Sequence, residues 1–397
     1  MAYDGSTTLG EMFSSSRKKG KSGLPTFSVT LQNGLVNREE MNRKTDTNLS
    51  PEKHLLVKRG YIAYNMMRMW QGASGVANQD GIVSPAYVVL APNKDTDSLY
   101  ASYLFKSSRI IYLFWAYSYG LTKDRLRLYY NDFKKIPVTI PPKLEQIKIA
   151  QILSTWDKTI EAVKKLIANS QQQKKALMQK LLTCEKRLPG YKGNWNDSHL
   201  TEIAQVIVSP VDKKSETDEI PVELCNYTDV YHNNRITKKL SFMKATAKQT
   251  EIDKYTLKIG DVVITKDSET PGDIAIPALV SDDLGGVLCG YHLAIIRPKK
   301  KLSDGAYLSY LFSMPRTRYY FFTLATGATR FGLSVGGIQK AHFSLPPIEE
   351  QQQIAKVLSS ADLEIETLQQ KLEFLKTEKR ALMQQLLTGK RRVKANA

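Results

Sequence analysis

The sequence predicts a mixed α/β (α+β) protein made of two related modules, each followed by a long helix, with a pseudo-two-fold internal repeat. Three observations support this fold class. Two stretches about two hundred residues apart agree, without a gap, at roughly 19 of about 43 positions, which indicates an internal repeat. Both stretches carry the apolar spacing of a coiled coil. The segments that precede them share a weaker likeness, with strands and helices in the same order.

Residues 141–183 and 346–389 are predicted to form the two long coiled-coil helices. Each contains about 40 residues without glycine or proline, enough to reach about 60 Å at 1.5 Å per residue. A proline pair precedes each helix, where proline is tolerated, and Gly389 is a plausible stop after the second. Lys174 and Lys379 share one position on the apolar seam. A lysine there specifies register or partner, unless the helices splay and the ammonium group reaches solvent.

Residues 1–140 and 199–345 are predicted to form the two modules. The matched features are strands at 61–64 and 262–265, strands at 86–92 and 293–298, helices at 100–105 and 307–312, and loops at 120–123 and 327–330. Because this scaffold repeats while most surface residues differ, the two modules are expected to recognise two different targets. Residues 184–198 carry turn-forming residues and are predicted to be a linker, and residues 390–397 a solvated basic tail.

The charge balance favours a polyanionic partner. Lysine and arginine outnumber aspartate and glutamate by 57 to 39, a net charge of +18. This predicts nucleic acid first and an anionic membrane second, the alternative being a merely soluble basic protein. Neither a signal peptide nor an apolar run of about 18 residues is found, so no membrane-spanning segment is predicted, and a membrane is not among the predicted partners. Cys184, Cys225 and Cys289 are widely spaced, which supports neither a disulfide framework nor a zinc site and predicts a reduced, cytoplasmic protein.

The duplicated order of motifs resembles the specificity subunit of type I restriction–modification systems. Each module ends in Pro-Pro and Glu-Gln at the head of a long helix that closes with Ala-Leu-Met-Gln and Leu-Leu-Thr. Residues 188–195, Leu-Pro-Gly-Tyr-Lys-Gly-Asn-Trp, are similar to the leader that introduces a target-recognition domain in that family. The first module departs from the pattern, because no such leader precedes Thr8.

This resemblance implies both a domain plan and a function. Residues 1–140 and 199–345 would be target-recognition domains, each reading one half of a split double-stranded DNA target. The two long helices would pack antiparallel as a spacer and dock two methyltransferase subunits, a complex that a nuclease–translocase subunit can join. The chain itself would be no enzyme and would need no cofactor. The alternatives are a coiled-coil interaction adaptor, a DNA-binding decoy without methyltransferase partners, and a complete methyltransferase or nuclease with unrecognised motifs.

The sequence contains no recognisable catalytic or cofactor motif. An adenine methyltransferase needs an Asn-Pro-Pro-aromatic or Asp-Pro-Pro-aromatic loop, but both Pro-Pro pairs follow isoleucine or leucine. No Gly-x-x-x-x-Gly-Lys-Ser/Thr phosphate loop occurs. Residues 331–337, Phe-Gly-Leu-Ser-Val-Gly-Gly, lack the spacing of a cofactor loop and are predicted to form a flexible turn that follows DNA. The five histidines lack metal-ligand spacing, so no metal site is predicted.

The predicted DNA contacts lie in the matched loops and in polar groups near the matched strands. Arginine and lysine suit guanine edges, asparagine and glutamine suit adenine, and phosphate contacts need only charge. For the groups that follow the strands, the alternative is that their neighbours belong to the core. The predicted residues are Thr122, Lys123, Arg125, Arg127, Asn65 and Arg68 in the first module, and Lys266, Thr329, Arg330, Gln339 and Lys340 in the second.

A second set of residues is predicted to dock partner subunits. These residues recur at the two helix starts, on what are expected to be outer faces of the helices. The alternative is that acids in a first helical turn simply interact favourably with the helix dipole. The predicted partner-docking residues are Glu145, Gln146, Glu350 and Gln351.

Overall fold

The computed structural model of the chain describes residue 3 and residues 5–41, 49–122 and 124–394. The chain forms two compact units, one made of Met1–Lys165 and Gln369–Ala397, the other of Leu166–Leu368. Each unit combines one module with the first part of one long helix and the last part of the other. The compact units therefore divide both long helices, whereas the predicted domain plan keeps each helix as one segment. That domain plan stays a prediction.

The described residues of the first module form ten strands and four short α-helices. The strands are β1 (Ser6–Thr8), β2 (Phe13–Ser16), β3 (Thr26–Thr30), β4 (Gly34–Asn37), β5 (Leu55–Val57), β6 (Ile62–Asn65), β7 (Ser74–Val76), β8 (Gly81–Val83), β9 (Tyr87–Pro92) and β10 (Pro137–Thr139). The helices are α1 (Leu9–Met12), α2 (Ser98–Leu104), α3 (Ser108–Ala116) and α4 (Tyr130–Phe133), and the first long helix, α5 (Lys143–Leu182), follows them.

The second module repeats this order with some additions. Its strands are β11 (Asn196–His199), β12 (Ala204–Val208), β13 (Ile220–Cys225), β14 (Arg235–Ile236), β15 (Met243–Ala247), β16 (Val262–Thr265), β17 (Asp267–Ser268), β18 (Pro277–Val280), β19 (Leu288–Cys289), β20 (Leu293–Pro298), β21 (Phe331–Gly332) and β22 (His342–Leu345). Its helices are α6 (Leu200–Ile203), α7 (Tyr227–Tyr231), α8 (Gln249–Tyr255), α9 (Gly305–Ser313), α10 (Pro315–Leu324) and α11 (Val335–Gln339), followed by the long helix α12 (Ile348–Leu387).

The two modules share one sheet topology. A central sheet runs β2-β9-β6-β7 in the first module and β12-β20-β16-β18-β14 in the second. A smaller sheet is built on β3 or β13, each antiparallel to one neighbour and parallel to the other. A strand pair, β1-β10 or β11-β22, joins the start of each module to its end. The repeat predicted from weak sequence likeness is therefore present in the backbone.

The central strands are buried on both faces, which explains their continuous apolar sequence. In β16, Val262 and Ile264 face the core shared with the helices, and Val263 faces the core shared with the smaller sheet. In β6, Ile62 and Ala63 divide between the two equivalent cores. Neighbouring strand residues point to opposite faces, so each central sheet lies between a helical layer and a second layer of strands.

Within each unit, segments of the two long helices lie antiparallel, and the seam lysines fix their register. In the first unit the Lys379 ammonium lies 2.5 Å from a carboxylate oxygen of Asp157. In the second, Lys174 makes the equivalent contact with Asp362, also at 2.5 Å. The structure supports the prediction that these lysines specify the register of the helices. They do not extend into solvent, because each is mostly buried and pairs with an acid of the other helix.

A tyrosine from the module completes each of these ion pairs. The Tyr103 hydroxyl, on α2, donates to Asp157 over 2.6 Å, and the Tyr310 hydroxyl, on α9, donates to Asp362 over 2.6 Å. Each seam lysine also lies about 5 Å from the centre of the same tyrosine ring. Each aspartate therefore joins three elements of its unit: both long helices and one helix of the module.

Glutamines that recur at the two helix starts tie each long helix to its module. Gln146 Oε1 accepts from the backbone N–H of Asp97 (2.9 Å), and its Nε2 donates to the carbonyls of Asp95 (3.2 Å) and Pro141 (2.9 Å). Gln351 makes the same three bonds in the second unit, over 3.1, 3.0 and 2.9 Å. Both side chains are only 1% exposed, so the bonds form away from water.

Among the described residues, no helix is long and apolar enough to cross a lipid bilayer.

We expect Gln146→Ala to lower the free energy of unfolding by about 3 kcal/mol, since three buried hydrogen bonds of about 1 kcal/mol each are lost. Chemical denaturation of the full chain measures this loss. Gln151→Ala is the matched control, because Gln151 is exposed on the same helix. An equal loss in both variants would show that the buried hydrogen bonds do not hold the helix to the module.

Candidate nucleic-acid interface

Hairpin loop 1 (residues 119–127) projects from the first module after α3. Tyr119 and Arg127 face each other in a β-bridge, with backbone hydrogen bonds of 3.0 and 3.2 Å. Gly120 makes the tight return, because a Cβ at this position would lie 2.3 Å from the carbonyl oxygen of Arg125. The backbone of the loop is thus closed at its base while its tip is exposed.

Hairpin loop 2 (residues 326–332) occupies the corresponding place in the second module, after α10. Thr326 and Gly332 are bridged by two backbone hydrogen bonds of 3.1 and 2.9 Å. Gly327 has φ +145°, and a Cβ there would lie 1.8 Å from the carbonyl oxygen of Arg330. Glycine is required here both by conformation and by space. The matched glycines of the sequence therefore begin equivalent hairpins.

The fold brings each hairpin loop to the polar group that follows a central strand. Leu128 N–H donates to the carbonyl of Met66 over 2.9 Å, which places the end of hairpin loop 1 beside Asn65 and Arg68. Leu333 N–H donates to the carbonyl of Lys266 over 3.0 Å in the same way. In each module, two predicted DNA-binding groups that are far apart in sequence thus form one surface.

The predicted cations on these surfaces are exposed, although Arg127 Nη1 donates to the Tyr129 hydroxyl over 3.5 Å. Arg68, Arg125, Arg127, Arg330 and Lys340 are exposed, and in the described part of the chain none of them forms an ion pair. Such side chains suit phosphate oxygens or guanine edges. Thr122 and Thr329 are exposed at the loop tips, and Lys123 lies outside the described residues.

Three predicted residues are more constrained. Asn65 is half-buried, and its Oδ1 accepts from the backbone N–H of Met67 over 3.0 Å, so it stabilises a turn. Lys266 is half-buried and lies 2.8 Å from Asp267. Gln339 is half-buried at the end of α11, and the next residue, Lys340, is exposed. Both residues follow hairpin loop 2 in the chain.

The structure adds Tyr119 and His292 to these surfaces, two side chains that sequence reasoning did not single out as DNA contacts. The ring of Tyr119 lies 5.6 Å from that of Tyr129, and partial desolvation, followed by the charge of Asp132, raises the pKa of Tyr119. In the second module Asp267 lies 3.3 Å from His292 Nδ1. Tyr119 could have been recognised from the sequence, because it directly precedes the glycine turn. The contact of Asp267 with His292 has no signal in the local sequence.

The glycine-rich turn predicted over residues 331–337 is wrong in part. Phe331 and Gly332 pair with β17 as strand β21. Gly336 and Gly337 belong to helix α11, whose N-cap Ser334 accepts a hydrogen bond from the Gly337 N–H over 3.0 Å. Gly327 therefore has a backbone conformation that favours glycine, whereas Gly336 and Gly337 have none that requires it.

The expectation that the partner-docking residues lie on the outer faces of the helices is also wrong. Glu145 is 5% exposed and Glu350 0%, and both glutamines serve the internal hydrogen bonds described above. Arg392 holds Glu145 through bonds of 2.8 to 3.2 Å, and Arg187 holds Glu350 with its Nε at 2.6 Å. Whether any of the four residues touches a partner stays a prediction.

The same ion pairs correct the view of the basic tail. The side chain of Arg392 and the backbone N–H of Val393 both donate to Glu145. Burial alone would raise the pKa of Glu145, but these hydrogen bonds lower it below its ordinary value. The tail up to Lys394 is therefore part of the first unit, and Arg392 acts there as the counter-ion of a buried carboxylate.

The described residues contain no group of three or more His, Cys, Asp or Glu side chains placed to hold a metal ion.

A family model described as "Type I restriction modification DNA specificity domain" matches the chain twice, at residues 8–169 and 192–377. The chain belongs to this family. Each match covers one module and most of the long helix that follows it. Membership confirms the predicted family, and with it the expectation of a recognition subunit for a DNA target rather than an enzyme.

Two relatives from Methanocaldococcus jannaschii carry names of the same family. The type I restriction enzyme MjaVIII specificity subunit is 26% identical over 347 residues, 83% of this chain and 80% of the relative. The putative type I restriction enzyme MjaX specificity subunit is 31% identical over 199 residues, and that match spans only 46% of the relative and 49% of this chain.

The solved HsdS subunit of Thermoanaerobacter tengcongensis has a similar fold. Its TM-score is 0.54 at 17% identity, with 97% of this chain and 96% of that chain covered. Identity at this level supports the fold alone. The predicted fold class, two α/β modules with long helices, is confirmed by this likeness together with the family match.

We expect Gly327→Ala to open the base of hairpin loop 2, because the added methyl group collides with the Arg330 carbonyl in a backbone conformation that alanine disfavours. Hydrogen exchange at the Thr326 and Gly332 amides should accelerate by at least about tenfold, since their mutual hydrogen bonds are lost. Gly336→Ala is the control, because a Cβ there meets no atom within 4 Å in a helix. Equal exchange in Gly327→Ala and the unmodified chain would contradict the proposed need for glycine.

Proposed function

We propose that this specificity subunit recognises a bipartite double-stranded DNA target, with one half-site read by each module. The observation that carries the proposal is the duplication of one projecting surface. In both modules a glycine-closed hairpin loop lies beside the residues that follow a central strand. A duplicated reading surface suits a target with two parts, because linking two modest half-site affinities makes the second contact intramolecular.

The two surfaces are proposed to read different sequences. Hairpin loop 1 offers Arg125 and Arg127 with two tyrosines nearby, whereas hairpin loop 2 is shorter and offers Thr329 and Arg330. Lys266, Asp267 and His292 add a charged group to the second surface that has no counterpart in sequence beside Asn65. Different donors and acceptors at equivalent places favour different bases.

We further propose that two methyltransferase subunits dock on this chain and that a nuclease–translocase subunit can join them. The buried helix-start residues offer little surface for such contacts. Exposed apolar side chains on the long helices are better suited, since a soluble partner gains by covering them. The most exposed of these are Leu144 (61% exposed), Leu363 (64%) and Phe374 (62%).

Co-expression with a methyltransferase of the same system, followed by mapping of methylated adenines in the host DNA, tests the bipartite target. We expect one split motif with a fixed gap. Exchanging Arg125 and Arg127 for glutamine should weaken recognition of one half-site by about tenfold or more and leave the other unchanged, because a good bidentate base contact contributes about 1–3 kcal/mol.

The matched control for this experiment replaces Lys300 and Lys301, two exposed lysines in the loop after β20, by glutamine. It removes the same charge without touching hairpin loop 1, so the motif should not change. Relaxation of both half-sites by the arginine variant would contradict separate reading. A stable complex that methylates nothing would favour the adaptor or decoy.

The long helices are proposed to set the gap between half-sites. Inserting one heptad in both helices adds about 10 Å at 1.5 Å per residue, or about three base pairs at 3.4 Å each. The methylation motif should then keep both half-sites and gain a gap of that size. The matched comparison inserts the heptad in one helix alone, which breaks the pairing of the seam. An unchanged gap in the variant with both insertions would contradict the proposal that the long helices set the distance between half-sites.

A further inference from the structure

A cavity of about 640 Å³ lies in the first unit, away from the surfaces described above. Its walls are the start of α3, strand β10 and the last third of α12, all within the same unit. The volume is within the range of small-molecule sites, about 300–1,000 Å³. Nothing in the recognition of DNA half-sites by hairpin loop 1 makes use of this cavity.

The walls of the cavity carry a strong excess of positive charge. Five cations line it: Lys106, Arg109, Lys376, Lys379 and Arg380. No aspartate or glutamate of the described chain does so. Lys376 and Lys379 have acidic partners in Glu373 and Asp157.

The other three cations are without an ion pair among the described residues, namely Lys106, Arg109 and Arg380. Partial burial, and next the charge of Lys379, lower the pKa of Lys106, as expected where cations crowd together. An anionic ligand would relieve this repulsion.

The backbone and the apolar wall complement this charge. Ser107, Arg109 and Ile110 line the cavity at the start of α3, where the first N–H groups of a helix lack partners within it. The Ser107 hydroxyl donates to the Leu104 carbonyl over 2.7 Å and so does not cap this helix. Leu104, Ile110 and Met383 supply an apolar wall. A ligand with both phosphate groups and a less polar body would match these features.

The internal repeat shows that part of this charge is not a requirement of the module. Where the first unit has Lys106 and Lys376, the aligned positions of the second have Ser313 and Gln171. The second module also has Pro315 as the first residue of α10, in place of Ser108. The charge of Lys106 and Lys376 is therefore specific to the first copy. The other three cations of the cavity have cationic counterparts in the second unit, at Arg316, Lys174 and Lys175.

The cavity is distinct in position from hairpin loop 1. Hairpin loop 1 follows the C-terminal end of α3, whereas the cavity is at the N-terminal end of that helix. The nine residues of α3 separate the two ends by about 13 Å. A phosphate held in the cavity would thus be distinct from one held by the loop.

We propose that this cavity binds a nucleoside polyphosphate, with its phosphate groups on Lys106, Arg109 and Arg380 and its base against the apolar wall. The site is separate from the proposed reading of DNA. Its ligand is a small molecule and carries no sequence information.

Isothermal titration of the full chain with ATP tests this site, with pyrophosphate and adenosine as partial ligands. We expect one ATP per chain, weaker binding of pyrophosphate and little of adenosine. Replacing Lys106 and Arg380 by glutamine should weaken ATP binding by at least about tenfold, since a hydrogen bond to a charged group contributes about 1.5–3 kcal/mol.

The matched control replaces Arg316 and Lys175, the aligned cations of the second unit, by glutamine. It removes equal charge and should change ATP affinity by no more than about twofold, because these exposed positions lie outside the cavity. The pair Lys106→Arg and Arg380→Lys should retain binding, which separates a lost contact from a misfolded variant.

Three results would overturn the proposal: no saturable binding of ATP, equal weakening in the control, or displacement of ATP by a short DNA duplex. The last would identify the DNA backbone as the source of phosphate. DNA binding by the unmodified chain is measured separately without ATP. A failure to bind DNA would therefore not affect the test of ATP binding, and a failure to bind ATP would not affect the test of DNA recognition.

Discussion

A buried carboxylate at the start of each long helix is the constraint on which the rest of each unit depends. Glu145 and Glu350 are almost fully enclosed, and a buried carboxylate without a counter-ion is strongly destabilising. Each obtains an arginine from the residues just past the end of the other long helix, Arg392 for Glu145 and Arg187 for Glu350. The start of one helix and the end of the other must therefore meet in each unit, which makes the two helical segments antiparallel there.

The placement of the reading surfaces follows from this constraint through a short chain of contacts. Beside each buried carboxylate, Gln146 or Gln351 holds the loop that begins α2 or α9. Further along that same helix, a tyrosine reaches Asp157 or Asp362 on the seam. The hairpin loops come after the next helix, α3 or α10. Because these steps use buried or partly buried hydrogen bonds and ion pairs, the module and its helical segments together support an exposed loop.

The division between buried scaffold and exposed loop explains how one architecture accepts two sequences. The side chains that hold the support need particular partners, and they recur in both copies: glutamate, glutamine, aspartate, tyrosine and lysine. Arg125 and Arg330 have no ion-pair partner in the described chain, so exchanging them leaves no buried group unsatisfied. Only the glycines that close the loops, Gly120 and Gly327, are fixed by the backbone. Recognition can therefore differ between the copies without cost to the fold.

The sequence by itself determined the repeat, the fold class, the buried strands near 262–265 and 293–298, both long helices and the two glycine-closed loops. Each of these is encoded locally, by periodicity, proline or glycine. Tertiary structure alone decided what the polar residues at the helix starts do. Glu145 in a first helical turn gives the same local signal whether it faces water or a counter-ion, and its counter-ion Arg392 is 247 residues away. The contact of Asp267 with His292, and the meeting of each loop with the end of a distant strand, were hidden for the same reason. Pairing across the chain is set by packing, and no short stretch of sequence records it.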